Sequence, residues 1–184
     1  MKAVFLDRDG TINREVNVLR DVRQLRLLPG AAKAIKKLNQ LRLLVVVITN
    51  QPVIARGWLT EKEVEYIHDV LIRRLAKRGA KIDAIYYCPH HPNANLKKYR
   101  IRCRCRKPGI GMIQKAVREF GIDPRASWVI GDSGRDVAAG KKAGVRTILV
   151  ATGYGGKDID YGAKPDFVAR NLQAAVRIIT RHAK

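Results

Sequence analysis

LLVVVITN, residues 43–50, passes through seven apolar or β-favouring side chains before it reaches Asn50. Branching at Cβ suits Val and Ile to a pleated surface, so the run reads as a strand. A strand with one wet face alternates apolar with polar residues. This one does not alternate, and an uninterrupted run is what a strand shows when both of its faces are covered. The stretch therefore predicts a parallel sheet lying between layers of helices.

The flanking segments agree with that reading. Towards the N-terminus, PGAAKAIKKLNQL (29–41) places Ala31, Ile35 and Leu38 on one helical face, and AVFLD (3–7) is a second buried strand. Towards the C-terminus, Thr60 followed by Glu63 forms a capping box, which predicts a helix over 61–78. IDAIYY (82–87), SWVIGD (127–132), VRTILV (145–150) and DFVA (166–169) read as further strands. GMIQKAVREFG (111–121), RDVAAGKKAG (135–144) and LQAAVRIITRH (172–182) read as helices, the first two stopped by glycine. Strand and helix alternate throughout. The expected fold is a three-layer, Rossmann-like α/β domain spanning residues 1–184, with one long unpatterned stretch at 88–108.

Bulk properties narrow the class. A chain of 184 residues can bury a core without disulfide staples. No apolar run is long enough to span a membrane. Acidic chemistry begins at residue 7, so no signal peptide is expected, and an odd count of three cysteines argues for a reducing compartment. The chain is read as cytoplasmic, with a monomer as the default. Its formal net charge of +21 suits an anionic partner. The basic residues are scattered over most segments, which argues against nucleic acid, whose binding needs a clustered footprint.

Three strands end in reactive residues: Asp7-Arg8-Asp9-Gly10-Thr11, Thr49-Asn50-Gln51, and Gly131-Asp132-Ser133-Gly134-Arg135-Asp136. In open α/β sheets ligands bind at the carboxyl ends of the strands. Singly, an Asp or Asn at such a place is ordinary turn or cap chemistry. Together, the carboxylates of Asp7, Asp9, Asp132 and Asp136 would repel one another unless a cation lay between them. Hard oxygen ligands with room for water suit magnesium. Lys107, ahead of a proline, adds a point charge for an anion.

DRDGT (7–11), TN (49–50), CRKP (105–108) and GDSGRD (131–136), in that order, resemble the four motifs of the haloacid-dehalogenase-like phosphotransferases, and the resemblance covers essentially the whole chain. It implies Asp7 as a nucleophile that forms an aspartyl-phosphate, and Asp9 as the acid and base that serves the leaving alkoxide and then water. It implies magnesium held by Asp7, the Asp9 carbonyl and Asp132, with Asp136 behind them. Thr49 and Lys107 would hold the phosphoryl oxygens, and Thr11, Asn50, Gln51 and Arg106 would be further substrate contacts. An acid two residues after the nucleophile marks the phosphatase branches of that family.

All three cysteines lie in CPHHPNANLKKYRIRCRCRKP (88–108). Cys88-Pro-His90 and Cys103-Arg-Cys105 are two tight chelating pairs, which suit a tetrahedral zinc with three sulfurs and one nitrogen. His91 is an alternative to His90 by spacing, and the family resemblance favours His90. Seven Lys or Arg lie between residues 97 and 107, a surround that favours thiolate. Only 37 residues separate Thr11 from Thr49, too few for a large cap domain. A zinc-tied loop beside the site would serve as the lid instead.

CPHHP, CRCRKP and ITNQPVIARG (48–57) resemble the zinc-containing branch whose members act on heptose bisphosphate or histidinol phosphate. The twelve-residue gap favours the former. The implied activity is hydrolysis of the 7-phosphate of D-glycero-D-manno-heptose 1,7-bisphosphate, with Arg106 on the second phosphate. Histidinol phosphate is the near alternative. A nucleic-acid 3′-phosphatase, or a basic zinc-bearing nucleic-acid module, is the distant one, and Tyr99 is the sole aromatic among the basic residues of the loop. Two stretches depart from the heptose pattern: Ser133 stands where those enzymes often carry Lys, and residues 14–18 match loosely. His68 and His182 are expected to be solvated helix residues, and 151–162 a mobile connection.

Overall fold

The computed structural model describes residues 1–158 and 161–182. Six strands, β1 (Ala3–Leu6), β2 (Leu44–Asn50), β3 (Ala84–Cys88), β4 (Trp128–Gly131), β5 (Arg146–Val150) and β6 (Phe167–Ala169), form one sheet in the order β3-β2-β1-β4-β5-β6. Every neighbouring pair is parallel. The residues of β2 from Val45 to Thr49 are all buried, as the unbroken apolar run requires. Each Val or Ile so covered contributes about 1.5–3 kcal/mol.

The helices are α1 (Ala31–Gln40), α2 (Pro52–Ala55), α3 (Glu61–Ala76), α4 (Gly111–Phe120), α5 (Gly134–Lys142) and α6 (Leu172–His182). Successive strand side chains point to opposite faces, and the two cores divide accordingly. Val4, Leu6, Val45, Val47 and Ile130 pack with residues of α1, α3 and α6. Phe5, Val46, Ile48 and Val129 pack with residues of α4 and α5. The expected three layers are present. The Thr60–Glu63 capping box forms, and Gly121 closes α4 in the left-handed region. The one-turn α2, with Pro52 in its first turn, was not read from the sequence.

The chain runs from β1 outward to β3, then crosses back to β4 on the other side of β1. Loops leaving β1 and β4 therefore diverge and open a crevice, and Asp7 and Asp132 stand at its floor, where the two strands end. The loop 88–108 lies beside this crevice. It has some apolar anchorage of its own: Ala94 and Tyr99 are buried against Val53, Ile54 and Ala55 of α2 and Val64 of α3.

Candidate active site

The floor of the crevice is acidic. One ligand atom each from Asp7, Asp132 and Asp136 lies within 4.8 Å of the other two. Burial pushes the Asp132 carboxyl up to about 8, and the neighbouring charges of Asp7 and Asp136 add to the effect. A carboxylate that resists its own charge to this degree is suited to a cation. Two glycines make the close approach possible. Gly10 (φ +76°) and Gly153 (φ +59°) both press against the Asp132 carboxylate, where a Cβ at either would collide with it.

Lys107 is the counter-charge. Its Nζ lies 2.9 Å from Asp7 Oδ1 and 2.6 Å from Asp136 Oδ1, and it donates to the Ile48 carbonyl at 2.8 Å. Burial opposes its charge, but Asp136 and Asp7 more than offset that and hold the ammonium above its ordinary range. Asp136 also sits at the third position of α5, where its carboxylate accepts from the Ser133 N–H and completes a capping box. One side chain thus starts the helix and orients the lysine.

Asp9 is held by four donors. Arg8 Nε and Asn13 Nδ2 donate to its Oδ1 at 3.2 and 2.8 Å, and Arg8 Nη2 and Gln51 Nε2 donate to its Oδ2 at 2.7 and 3.1 Å. Burial works against ionisation, yet the Arg8 guanidinium, then Asn13 and Gln51, hold the carboxyl below its usual range. Arg8 is itself only 1% exposed, and its Nη1 lies 3.0 Å from His68 Nε2. His68 is therefore not solvated, contrary to the sequence reading. It is 5% exposed on the inner face of α3, and burial, with Arg8 beside it, lowers its pKa to about 3. The helical pattern alone gave no sign of this partner. His182 is exposed as expected, although its ring packs near Trp128 and Phe167.

At the end of β2 the three polar residues have distinct partners. Asn50 clamps the backbone of Lys107: Nδ2 donates to its carbonyl at 3.1 Å, and Oδ1 accepts from its N–H at 3.0 Å. Gln51 links Asp9 to Thr49, donating to Thr49 Oγ1 at 2.8 Å. All three line the crevice, with Asn50 and Gln51 engaged in aiming other residues. Thr11 differs from the expectation of a substrate contact. It is fully buried and lines a separate cavity with Leu28 and Thr152, because the turn at Gly10 carries it away from the crevice.

Cys88, His90, Cys103 and Cys105 converge, with ligand atoms all within 4.8 Å of one another. The sulfurs are 3.0–3.3 Å apart, too far for disulfides, and His90 Nδ1 faces Cys88 and Cys105 at 3.7 and 3.6 Å. Hydrogen bonding from Cys88 pulls the Cys105 thiol down to about 5, with Cys103 and His90 assisting against burial. Three sulfurs and one imidazole at this spacing fit a tetrahedral soft-ligand site. His91 is elsewhere, lining the crevice and accepting from the Asn93 N–H.

The crevice encloses about 330 Å³ and is lined by Arg56, Arg106 and Arg135 as well as by the carboxylates, with Arg135 paired to Asp158 at 3.2 Å. Arg106 donates to the His90 carbonyl, so the cysteine cluster and this part of the lining are one structure. The loop after β5 is not a free connection, contrary to expectation. Tyr154 N–H donates to Asp132 Oδ2 at 2.7 Å and Gly156 N–H to the Asp132 carbonyl at 2.8 Å. Asp158 accepts from Ser133 Oγ, Gly134 N–H and Arg135 Nη2. Ile159 and Asp160, within the same predicted loop, lie outside the described residues. Neither Asp158 nor the Tyr154 N–H was legible beforehand, since both act through contacts more than twenty residues distant.

Asp7 with a second acid two residues on, the buried Lys107 between Asp7 and Asp136, and Asp132 beside them at a switch point match the pattern of a class of phosphoryl-transfer enzymes. Residues 104–175 match the family model described as HAD-hydrolase-like. A D-glycero-beta-D-manno-heptose-1,7-bisphosphate 7-phosphatase of Pasteurella multocida (strain Pm70) is 40% identical over 153 residues, 83% of either chain. An enzyme of Photorhabdus laumondii named for the alpha anomer is 38% identical over 84% of this chain and 85% of its own. The crystal structure of a D,D-heptose 1,7-bisphosphate phosphatase from B. bronchiseptica, complexed with magnesium and phosphate, superposes with a TM-score of 0.87. It is 35% identical, and 99% of each chain is covered. This chain belongs to the haloacid-dehalogenase-like hydrolase family, and within it to the phosphatases.

Proposed function

We propose that this phosphatase removes the 7-phosphate of D-glycero-D-manno-heptose 1,7-bisphosphate, with Asp7 as nucleophile and Asp9 as proton carrier. The observation that carries this reading is the crevice lined by charges of both signs. Carboxylates and Lys107 suit the phosphoryl group being cleaved, and Arg56 and Arg106, which line the same crevice beside His91, suit a second phosphate. A planar guanidinium matches phosphate oxygens in a way a point charge does not. Histidinol phosphate fits less well, because its ammonium would enter a crevice lined by Arg56 and Arg106. The names of the relatives support the bisphosphate, and since they include both anomers the anomer is left to experiment.

Asp7, the Asp9 carbonyl and Asp132 would hold magnesium, with Asp136 behind them. The ion supplies charge compensation at the transferring group. Lys107 and Thr49 would meet the phosphoryl oxygens in the same place. Cys88, His90, Cys103 and Cys105 would hold zinc as a structural tie on the loop that carries Arg106. The thiols imply a reducing compartment, hence the cytoplasm.

The test is phosphate release with magnesium from both heptose bisphosphate anomers, fructose 1,6-bisphosphate, histidinol phosphate and a 3′-phosphorylated oligonucleotide. One heptose anomer is expected to give the highest kcat/KM. Preference for histidinol phosphate or the oligonucleotide would overturn the substrate. Asp7→Asn should abolish turnover of every ester while leaving the melting temperature within a few degrees.

A further inference from the structure

We propose that Arg8, backed by His68, is a positioning residue that fixes the plane of the Asp9 carboxyl so that its proton is delivered to the leaving oxygen. The inference rests on the reading of Asp9 as proton carrier. In that chemistry an Asp7 oxygen forms a bond to phosphorus as the ester P–O bond breaks. The electron pair goes to the leaving oxygen, which takes the proton held on Asp9. Water then attacks phosphorus, returns a proton to Asp9 and frees Asp7.

Rotation of an Asp carboxyl about its last torsion is soft, so aim has to come from outside the side chain. Arg8 supplies it with a two-pronged contact, Nε to Oδ1 at 3.2 Å and Nη2 to Oδ2 at 2.7 Å, which sets plane and rotation together. The fork is anchored from behind. Nη2 also donates to Gln51 Oε1 at 3.1 Å, and Nη1 meets His68 Nε2 at 3.0 Å. To accept from a guanidinium, His68 must be neutral with its proton on Nδ1. Its burial on α3, tilted 5.5 Å from the Tyr87 ring, keeps it in that state and place. A guanidinium 1% exposed is costly to desolvate, and every contact recorded for its side chain leads to Asp9 or to a group that holds it against Asp9. The Arg8 side chain is 1% exposed and is not part of the crevice lining. The alternative is that it merely offsets the negative charge of the floor.

Leaving-group chemistry separates the two. A sugar alkoxide needs the proton as the bond breaks, whereas 4-nitrophenolate leaves without one. kcat/KM reports only the steps through departure of the leaving group, so hydrolysis of the aspartyl-phosphate does not enter. Arg8→Met, His68→Leu and His68→Gln would be compared on the bisphosphate and on 4-nitrophenyl phosphate at saturating magnesium. Arg8→Met should lose about 100-fold on the sugar ester and under about 3-fold on the aryl ester, the scale expected for a misaimed proton donor. His68→Leu should lose about 10-fold on the sugar ester alone, and His68→Gln, which keeps an acceptor, should stay near wild type. Equal losses on both esters, or no loss on the sugar ester, would overturn the proposal. If Arg8→Met gives no cooperative melt, the His68 pair decides: Leu equal to Gln overturns it. The comparison works with any alkyl phosphate the enzyme accepts, so a wrong sugar leaves it standing. Turnover by Asp7→Asn would strike the mechanism itself.

Discussion

Asp132 occupies a position that only the fold could make hazardous. It ends β4 beside Asp7, with Gly10 and Gly153 pressed against it, and burial raises its carboxyl to about 8. Below that value the free protein carries a proton there, and a divalent ion must displace it to bind. The sign follows: metal affinity falls as pH drops from 8, because protons compete for the ligand, and levels off above 8. Magnesium titrations followed by calorimetry at pH 6, 7 and 8 should show the Kd improving by up to about tenfold per pH unit, with close to one proton released at pH 7. A pH-independent Kd would mean that Asp132 is ionised before the ion arrives. The same residue illustrates what a sequence can say. Gly131-Asp132 at a strand end was readable as a candidate ligand, while the Tyr154 N–H that holds its Oδ2 could be assigned only once the loop was seen folded over it.

At the scale of elements, the strands were legible because the physics is local. Residues 43–50 had no polar face to turn outward, and β2 duly has none. Caps were legible for the same reason, as at Thr60 and Gly121. Arg8 was not, since nothing nearby in the chain says that a guanidinium between two acids will be buried by a histidine sixty residues away. The loop 88–108 falls between these cases. The pairing of its three cysteines with a histidine was readable from spacing, the choice of His90 over His91 came from the family resemblance, and its apolar foothold at Ala94 and Tyr99 was not readable. That foothold divides the loop. Apolar packing holds 94–99, whereas from Arg100 to Arg106 the packed side chains are Cys103 and Cys105 of the cluster, joined by backbone bonds from Gly111 and Gly109 to Arg104 and Arg106. Stripping the proposed zinc with a chelator should therefore leave the two cores folded, raise amide exchange at 100–106 well above that at 94–99, and loosen Arg106. Selectivity for a bisphosphate over a monophosphate should drop about 10- to 100-fold, the worth of one charged hydrogen bond, with a smaller change in monophosphate kcat. Unchanged selectivity in a preparation shown to be zinc-free by elemental analysis would remove the loop from substrate recognition.

For the molecule as a whole the outstanding quantity is the net charge of +21. It is not gathered at the crevice mouth: α1 carries Lys33, Lys36 and Lys37, and α6 carries Arg177 and Arg181, with no carboxylate on either helix. Charge spread in this way makes a broad field rather than a docking footprint, and a broad field acts on a small anion during its approach. Its reach is set by salt, with a screening length of about 30 Å at 0.01 M and about 8 Å at 0.15 M. Once bound in the proposed site, the anion would lie among Lys107 and the arginines and be screened far less. Raising ionic strength across that range should therefore lower kcat/KM by about tenfold or more for a bisphosphate while kcat stays nearly constant. Attraction scales with the product of the charges, so the logarithmic slope should be about twice as steep for the bisphosphate as for a monophosphate ester of the same sugar. Equal slopes for the two esters would confine the electrostatics to the cleaved group and leave the surface charge without a part in catalysis.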